Sequence, residues 1–236
     1  MAKNNVQQGC RGGICVSIAG AGLDEALGVM AANAGVADLF EIRLDTLARP
    51  EISPFLAAAT RPLLFTCRPR WEGGSFAGDE EARAALLEEA ARSGAALIDI
   101  ELRADPAMRQ RLLAAARESG CAVIVSWHDF HSTPAAGELA RIVAEMRASG
   151  GDIGKIVTTA HNRDDVLAVL DLYRQAGSLP LCAFAMGKPG AISRLAVLPL
   201  GGCITYAAPA GGVATAAGQL PAAVMRNVLP FLTDAD

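Results

Sequence analysis

Five glycines punctuate this chain where helices would have to stop. Gly35, Gly94, Gly120, Gly150 and Gly177 each follow a helix-like stretch, and an apolar run begins within a few residues of each. Glycine at that place supplies the left-handed residue that closes a helix. Matching starts stand at Asp105-Pro106, Thr133-Pro134 and Asn162, cap-forming residues of which two are followed by Pro at the first helical position. The punctuation forces strands to alternate with helices across short loops, and few architectures satisfy that.

The alternation runs eight times. Strands are predicted over 14–19, 38–44, 63–68, 96–102, 122–127, 152–159, 181–185 and 203–206. Helices are predicted over 23–33, 52–59 and 79–92, and then from Pro106, Thr133-Pro134, Asn162, about Ala191 and near Leu220. Leu139, Ile142, Val143 and Met146 have the i, i+3, i+4, i+7 spacing of one buried helix face, and Val166, Val169, Leu170 and Tyr173 repeat it. The pattern predicts an α/β protein, a (β/α)8 TIM barrel forming a single domain over 14–236, with a short N-terminal extension over 1–13. An open doubly wound sheet is the competing arrangement. Its nucleotide-binding form is disfavoured by the lack of G-x-G-x-x-G after the first strand.

Composition supports the barrel. The 236 residues are 52% hydrophobic and 19% charged, enough apolar material for a large core. A net charge of -4 argues against a nucleic-acid partner. The six cysteines form no C-x-x-C pair, and five lie in or beside apolar runs. They read as small buried hydrophobes in a reducing compartment, which predicts a cytoplasmic protein. Residues 195–225 carry no charge, but Pro199, Pro209, Pro221 and several glycines interrupt them, so strand and loop are expected there and no membrane span. The first residues lack an apolar core, so a signal peptide is not expected.

A barrel carries its active site at the C-terminal strand ends. Those ends hold Glu41, Arg43 and Asp45, then Arg68, then Asp99 and Glu101, then His128, Lys155, Phe184 and Met186. Arg194 follows the seventh strand, and Thr215 and Gln219 follow the eighth. Any one arginine or carboxylate there could be a salt-bridge partner. Lys155 is harder to dismiss. It lies among Ile153, Ile156 and Val157, where a buried charge costs several kcal/mol unless it is neutral, paired or covalently used. A desolvated lysine among cations loses its proton more easily, attacks a ketone and forms a Schiff base. The iminium acidifies the neighbouring C–H, and a histidine suits the task of moving that proton near neutral pH. Arginines would hold a substrate carboxylate. The residues therefore predict a small hydroxylated keto acid as substrate. His128 and His131 offer no third metal ligand, so no metal is expected.

The segments FEIRLD, LLFTCRPRWEGG, VIVSWHDFHSTP, the GKIV strand, AMGKPGAISR and ATAAGQ, in this order, resemble type I 3-dehydroquinate dehydratases. The resemblance covers about 14–219. It implies a cofactor-free homodimer that dehydrates 3-dehydroquinate to 3-dehydroshikimate in the shikimate pathway. By the same resemblance Lys155 is the Schiff-base lysine, His128 the general acid/base, and Glu72 the carboxylate that orients the histidine. Arg194 is the clamp for the substrate carboxylate. Glu41, Arg43 and Arg68 bind substrate hydroxyls and shape the pocket, and Ser17 is a first-strand contact. Gln219 belongs to a closing loop, while Met186 and Tyr206 form an apolar wall. Thr215 stands where many members have Ser, and Phe184 where Met is common. The N-terminal region lacks the hairpin with which many members plug the barrel floor. Two other readings are carried forward. A Schiff-base aldolase would share the lysine. A phosphate-binding barrel could use Gly211-Gly212 but would leave Lys155 and His128 unexplained.

Overall fold

Eight short strands account for the architecture, and each is long enough to cross one barrel wall. In the computed structural model, which describes residues 13–20 and 22–233, they are β1 (Gly13–Ile18), β2 (Leu39–Arg43), β3 (Leu63–Thr66), β4 (Leu97–Glu101), β5 (Ala122–His128), β6 (Ile153–Thr159), β7 (Leu181–Met186) and β8 (Ile204–Ala207). All seven ladders are parallel, in the order β7-β6-β5-β4-β3-β2-β1-β8. A backbone bond from Cys203 to Leu181 at 3.1 Å draws the two ends of this order together. The result is the predicted (β/α)8 TIM barrel, nearly closed. β1 begins at Gly13; the rest of the N-terminal extension, Cys10 included, lies outside the described residues.

The helices are α1 (Leu23–Ala32), α2 (Ser53–Ala58), α3 (Glu80–Arg92), α4 (Pro106–Ser119), α5 (Ala136–Ser149), α6 (Arg163–Leu170), α7 (Leu172–Gln175), α8 (Gly187–Ala196) and α9 (Ala222–Val228). Strand alternation divides the core into two shells. One set of alternate positions, such as Val123, Val125 and Trp127 of β5, faces the helices, where Leu139, Ile142, Val143 and Met146 of α5 meet the outer shell. The other set faces the axis, where Cys15, Leu39, Leu64, Ile124 and Ile153 fill the lower barrel. Higher up the same inward rows turn polar with Ser17, Glu41, Thr66, Asp99, Glu101, Ser126 and Lys155, all buried. That change of character along the axis puts the site at the C-terminal end.

Several boundaries differ from expectation. Gly94, Gly120, Gly150 and Gly177 do adopt positive φ, but Gly35 does not. α1 instead ends on Asn33, whose amide donates to Val29 O at 2.7 Å and Ala210 O at 3.0 Å and accepts from Ala210 N at 2.8 Å. An amide tied to the loop after β8 does the work of a capping glycine. Asp105 and Asn162 cap α4 and α6 as expected. Thr133 does not cap α5, which starts at Ala136, because its hydroxyl is bonded to Thr158 Oγ1 at 2.8 Å and Thr159 O at 3.0 Å. The helix expected across 166–173 is broken at Asp171 into α6 and α7, and Tyr173 turns its hydroxyl to the backbone of Ala183. α8 begins at Gly187 rather than near Ala191, since Pro189 falls in the first turn, where no intrahelical donor is needed. α9 begins at Ala222 rather than near Leu220, after a bridge between Ala208 and Pro221. Cys15, Cys67, Cys121 and Cys182 are buried free thiols, and Cys203 is buried. No helix of the described residues is long and apolar enough to cross a membrane.

Candidate active site

Lys155 is delivered by β6 into the polar upper barrel, and its side chain is buried. Sequence reasoning surrounded it with cations. Its nearest partners are carboxylates: Nζ stands 3.2 Å from Asp99 Oδ2 and 3.6 Å from Glu41 Oε1, with the Tyr206 ring centroid 4.1 Å away. Arg68 lies one step further out, donating to Asp99 Oδ1 at 2.8 Å, Glu101 Oε1 at 2.6 Å and Ser126 Oγ at 2.7 Å. Burial by itself would raise Asp99 and Glu41. Arg68 and Lys155 outweigh it at Asp99, as Lys155, Arg43 and the Ser17 hydroxyl do at Glu41, so both carboxyls are held below their usual range.

His128 ends β5, pairing in register with Val157 two residues beyond the lysine. Glu72 stands behind it on the short 3-10 turn Arg70–Glu72. Its Oε1 lies 2.9 Å from His128 Nδ1 and accepts from the His128 backbone N–H at 3.0 Å. With Nδ1 so engaged, Nε2 is the nitrogen left for the cleft. Phe130 stacks on the imidazole, with centroids 5.8 Å apart. Burial, followed by the charges of Arg68, Lys155 and Arg43, pushes His128 well below 6.5, so the imidazole is a neutral base at neutral pH. Burial also lifts Glu72 to about 8. His131 lies outside this group, its backbone N–H bonded to Asp129 and its carbonyl to His161.

The mouth carries a different kind of cation. Arg194, buried in α8, meets no carboxylate among the described residues; its Nε and Nη1 lack hydrogen-bond partners, and its guanidinium lies 4.3 Å from the Phe184 ring centroid. Dry surroundings lower it to about 10, which still leaves it charged at neutral pH. An aromatic face attracts a cation without neutralising it, so two donors stay available for an anion. Phe184 also packs on Tyr206, centroids 5.8 Å apart, so one aromatic pair lies under both Arg194 and Lys155. Arg43 is occupied differently, clamped by both oxygens of Asp45 at 2.8 and 2.7 Å.

These residues face one cleft of about 500 Å³. It is lined by Ser17, Glu41, Arg43, Arg68, His128 and Lys155 from the strand ends, by Met186, Arg194 and Tyr206, and by Thr215 and Gln219 from the loop after β8. Thr215 and Gln219 bond to one another, with Thr215 N donating to Gln219 Oε1 at 2.8 Å. Of the residues to which the resemblance assigned a role, only Glu72 is off the lining, behind His128; of the other strand-end residues, Asp45, Asp99 and Glu101 are off it as well. Sequence reasoning put Asp99 at a strand end but gave it no role, though it is the closest charged partner of Lys155, and it left out Phe130, which stacks on His128. Asp99 had a legible signal: with Glu101 it puts acids on the inward face of an otherwise apolar strand. Phe130 had none beyond its place between the two histidines. The groups of the cleft can bind a carboxylate, present an amine to a carbonyl, and move a proton at a neighbouring carbon.

Residues 14–236 match the model of a family described as type I 3-dehydroquinase. A 3-dehydroquinate dehydratase of Desulfotalea psychrophila is 46% identical over 217 residues, spanning 91% of this chain and 96% of that protein. Two crystal structures have the same fold. The 3-dehydroquinate dehydratase of Geobacillus kaustophilus gives a TM-score of 0.84 at 30% identity, covering 94% of this chain and 91% of that one. A type I 3-dehydroquinate dehydratase of Clostridium difficile, solved with covalently modified comenic acid, gives 0.85 at 27% identity, covering 94% and 92%.

Proposed function

The chain belongs to the type I 3-dehydroquinase family, and from that premise we infer that it is a hydro-lyase converting 3-dehydroquinate to 3-dehydroshikimate, a step of the shikimate pathway. Lys155 attacks the substrate ketone through Nζ, and water leaves as the protonated Schiff base forms. The iminium draws electrons from the adjacent C–H bond. His128 takes that proton through Nε2, then returns it to the departing hydroxyl, so a second water leaves from the same face and a conjugated iminium remains. Hydrolysis of that iminium consumes one water and frees Lys155 and the product. Glu72 holds the imidazole, and Arg194 takes the substrate carboxylate. Glu41, Arg43, Arg68, Ser17, Thr215 and Gln219 meet the ring hydroxyls and close the site, and Met186 and Tyr206 wall it. No cofactor enters this scheme.

The observation that carries the reading is the arrangement of three groups on one cleft: a buried amine, a neutral histidine backed by a carboxyl, and a guanidinium with free donors. A Schiff-base aldolase would need the amine but not the whole set. The test is to incubate the protein with 3-dehydroquinate and borohydride and map the adduct by mass spectrometry. An adduct on Lys155 and appearance of the conjugated-enone absorbance are expected; an adduct elsewhere, or none, would sink the reading. We also propose a cytoplasmic homodimer with residues 14–236 as the catalytic domain. The buried thiols of Cys15, Cys67, Cys121 and Cys182 fit a reducing compartment, and light scattering on the purified protein tests the dimer.

A further inference from the structure

Arg83 has no part in the reaction above, yet its side chain is among the largest fully buried ones in the protein, at 0% exposure. An arginine so placed needs carboxylates to meet it. Two do, and they lead in different directions. Nη1 donates to Glu101 Oε2 at 2.5 Å. From there the path runs inward: Glu101 to Arg68 at 2.6 Å, Arg68 to Asp99 at 2.8 Å, Asp99 to Lys155 at 3.2 Å. Nη2 and Nε donate to Glu80 Oε2 at 2.6 and 3.2 Å. From Glu80 the path runs along the rim. Its Oε1 accepts from Trp71 Nε1 at 3.1 Å, and the Trp71 ring lies over the Arg83 guanidinium at 5.8 Å. Trp71 precedes Glu72 on the turn behind His128.

We propose that Arg83 is a positioning residue for the dehydration, holding Lys155 through Glu101, Arg68 and Asp99, and holding Glu72 behind His128 through Glu80 and Trp71. It is not on the cleft lining. Fastening α3 to the barrel would not require both branches. The other α3 ion pairs, Glu81 and Glu88 with Arg111 and Arg92 with Glu88 and Glu118, lie at the surface and reach neither branch. The proposal rests on the dehydratase reading.

The consequences follow from burial. Without Arg83, Glu101 keeps one oxygen in the dry interior with no cation, and its carboxyl takes a proton. Arg68 then turns to Asp99, and Lys155 loses part of its partner. On the other branch Trp71 loses its platform and water reaches Glu72. That carboxyl then ionises at lower pH, and its charge beside Nδ1 favours the imidazolium. His128 is therefore captured as an acid at higher pH than in the wild type. The other charges facing the two groups stay in place: Arg43, Arg68 and Lys155 toward His128, and Arg68, Asp99 and Arg103 toward Glu72. Glu101, once protonated, no longer repels the Glu72 carboxylate and so moves it in the same direction.

The test is steady-state turnover of 3-dehydroquinate across pH, with thermal melts alongside, for Arg83→Gln, Arg83→Lys and Glu80→Gln, and for Glu81→Gln as the control on α3. Arg83→Gln is expected to lower kcat about tenfold with KM changed less than about threefold, and to move the acid limb of kcat/KM upward. Arg83→Lys recovers much of kcat. Glu80→Gln, at a partly exposed site that should fold, moves the acid limb the same way with a smaller loss, and it decides the matter should Arg83→Gln not fold. Glu81→Gln behaves as wild type. A folded Arg83→Gln or Glu80→Gln with wild-type kcat and pH profile, whatever its melting temperature, reduces Arg83 to a structural salt bridge and overturns the proposal alone. An inactive wild type would sink the substrate reading first and this proposal with it.

Discussion

Asp99 of β4 reaches past β5 to Lys155 of β6, Oδ2 to Nζ 3.2 Å, while its other oxygen takes Arg68 at 2.8 Å and the Ser126 hydroxyl at 2.6 Å. One buried carboxylate thus separates two basic side chains that both face the cleft. Asp99→Asn keeps the shape and removes the charge, leaving Lys155 and Arg68 to repel each other. We predict a loss of about tenfold or more in kcat, as about 1.4 kcal/mol of misplaced charge would give. Slower borohydride trapping at Lys155 in a protein of native circular dichroism is the expected measurement, and unchanged trapping would refute it.

The roles proposed for Lys155 and His128 are separable by experiment. His128→Ala is expected to lower turnover about 10²- to 10⁴-fold, the usual worth of a positioned base, while the adduct on Lys155 still forms under borohydride. Lys155→Ala is expected to abolish both. Near-normal turnover in His128→Ala would remove it from the role of base.

Arg194 is the cation with free donors, so its loss should be read mainly in binding. Arg194→Leu is expected to raise KM for 3-dehydroquinate on the order of 10²-fold, equivalent to about 2–3 kcal/mol of charged hydrogen bonding. Arg194→Lys should recover part of that through its charge but not the two-pronged geometry. A KM within twofold of wild type in Arg194→Leu, about 0.4 kcal/mol, would show that the carboxylate binds elsewhere.

Glu72 gives a prediction in stability. Burial holds its carboxyl at about 8 in the folded protein, against 4.5 in ordinary surroundings. An acid raised in this way takes up a proton on folding between those two values. It therefore costs the fold stability progressively as pH rises from about 4.5 to about 8, and no more above that. Glu72→Gln stays neutral throughout and should be more stable than wild type at about pH 8.5 by a few kcal/mol, at about 1.4 per pH unit, with the gap closing toward about pH 4.5. Parallel melting curves for the two proteins across that range would contradict it. The same variant should turn over more slowly, since the amide presents a different partner to Nδ1.

The sequence by itself determined the architecture. Strand alternation, helix spacing and the glycine stops at Gly94, Gly120, Gly150 and Gly177 are local signals, each read within a turn or a strand, and together they leave little but a barrel. It also brought Lys155, His128 and Arg194 to one mouth, because parallel strands in a barrel all end on the same face. Tertiary structure decided what stands next to what. Thr133 could have capped a helix and instead bonds to β6, and Gly35 yields to Asn33 because a loop some 177 residues away offers it partners. Nothing local tells whether Arg83 faces water or Glu101, whether Asp99 or Arg68 is the nearer neighbour of Lys155, or that Arg194, unlike Arg43 and Arg68, meets no carboxylate among the described residues. Those are matters of distance across the barrel axis. At buried positions the sign and spacing of the nearest charges set each group's protonation, so the chemistry of the cleft is fixed only once the chain has closed around it.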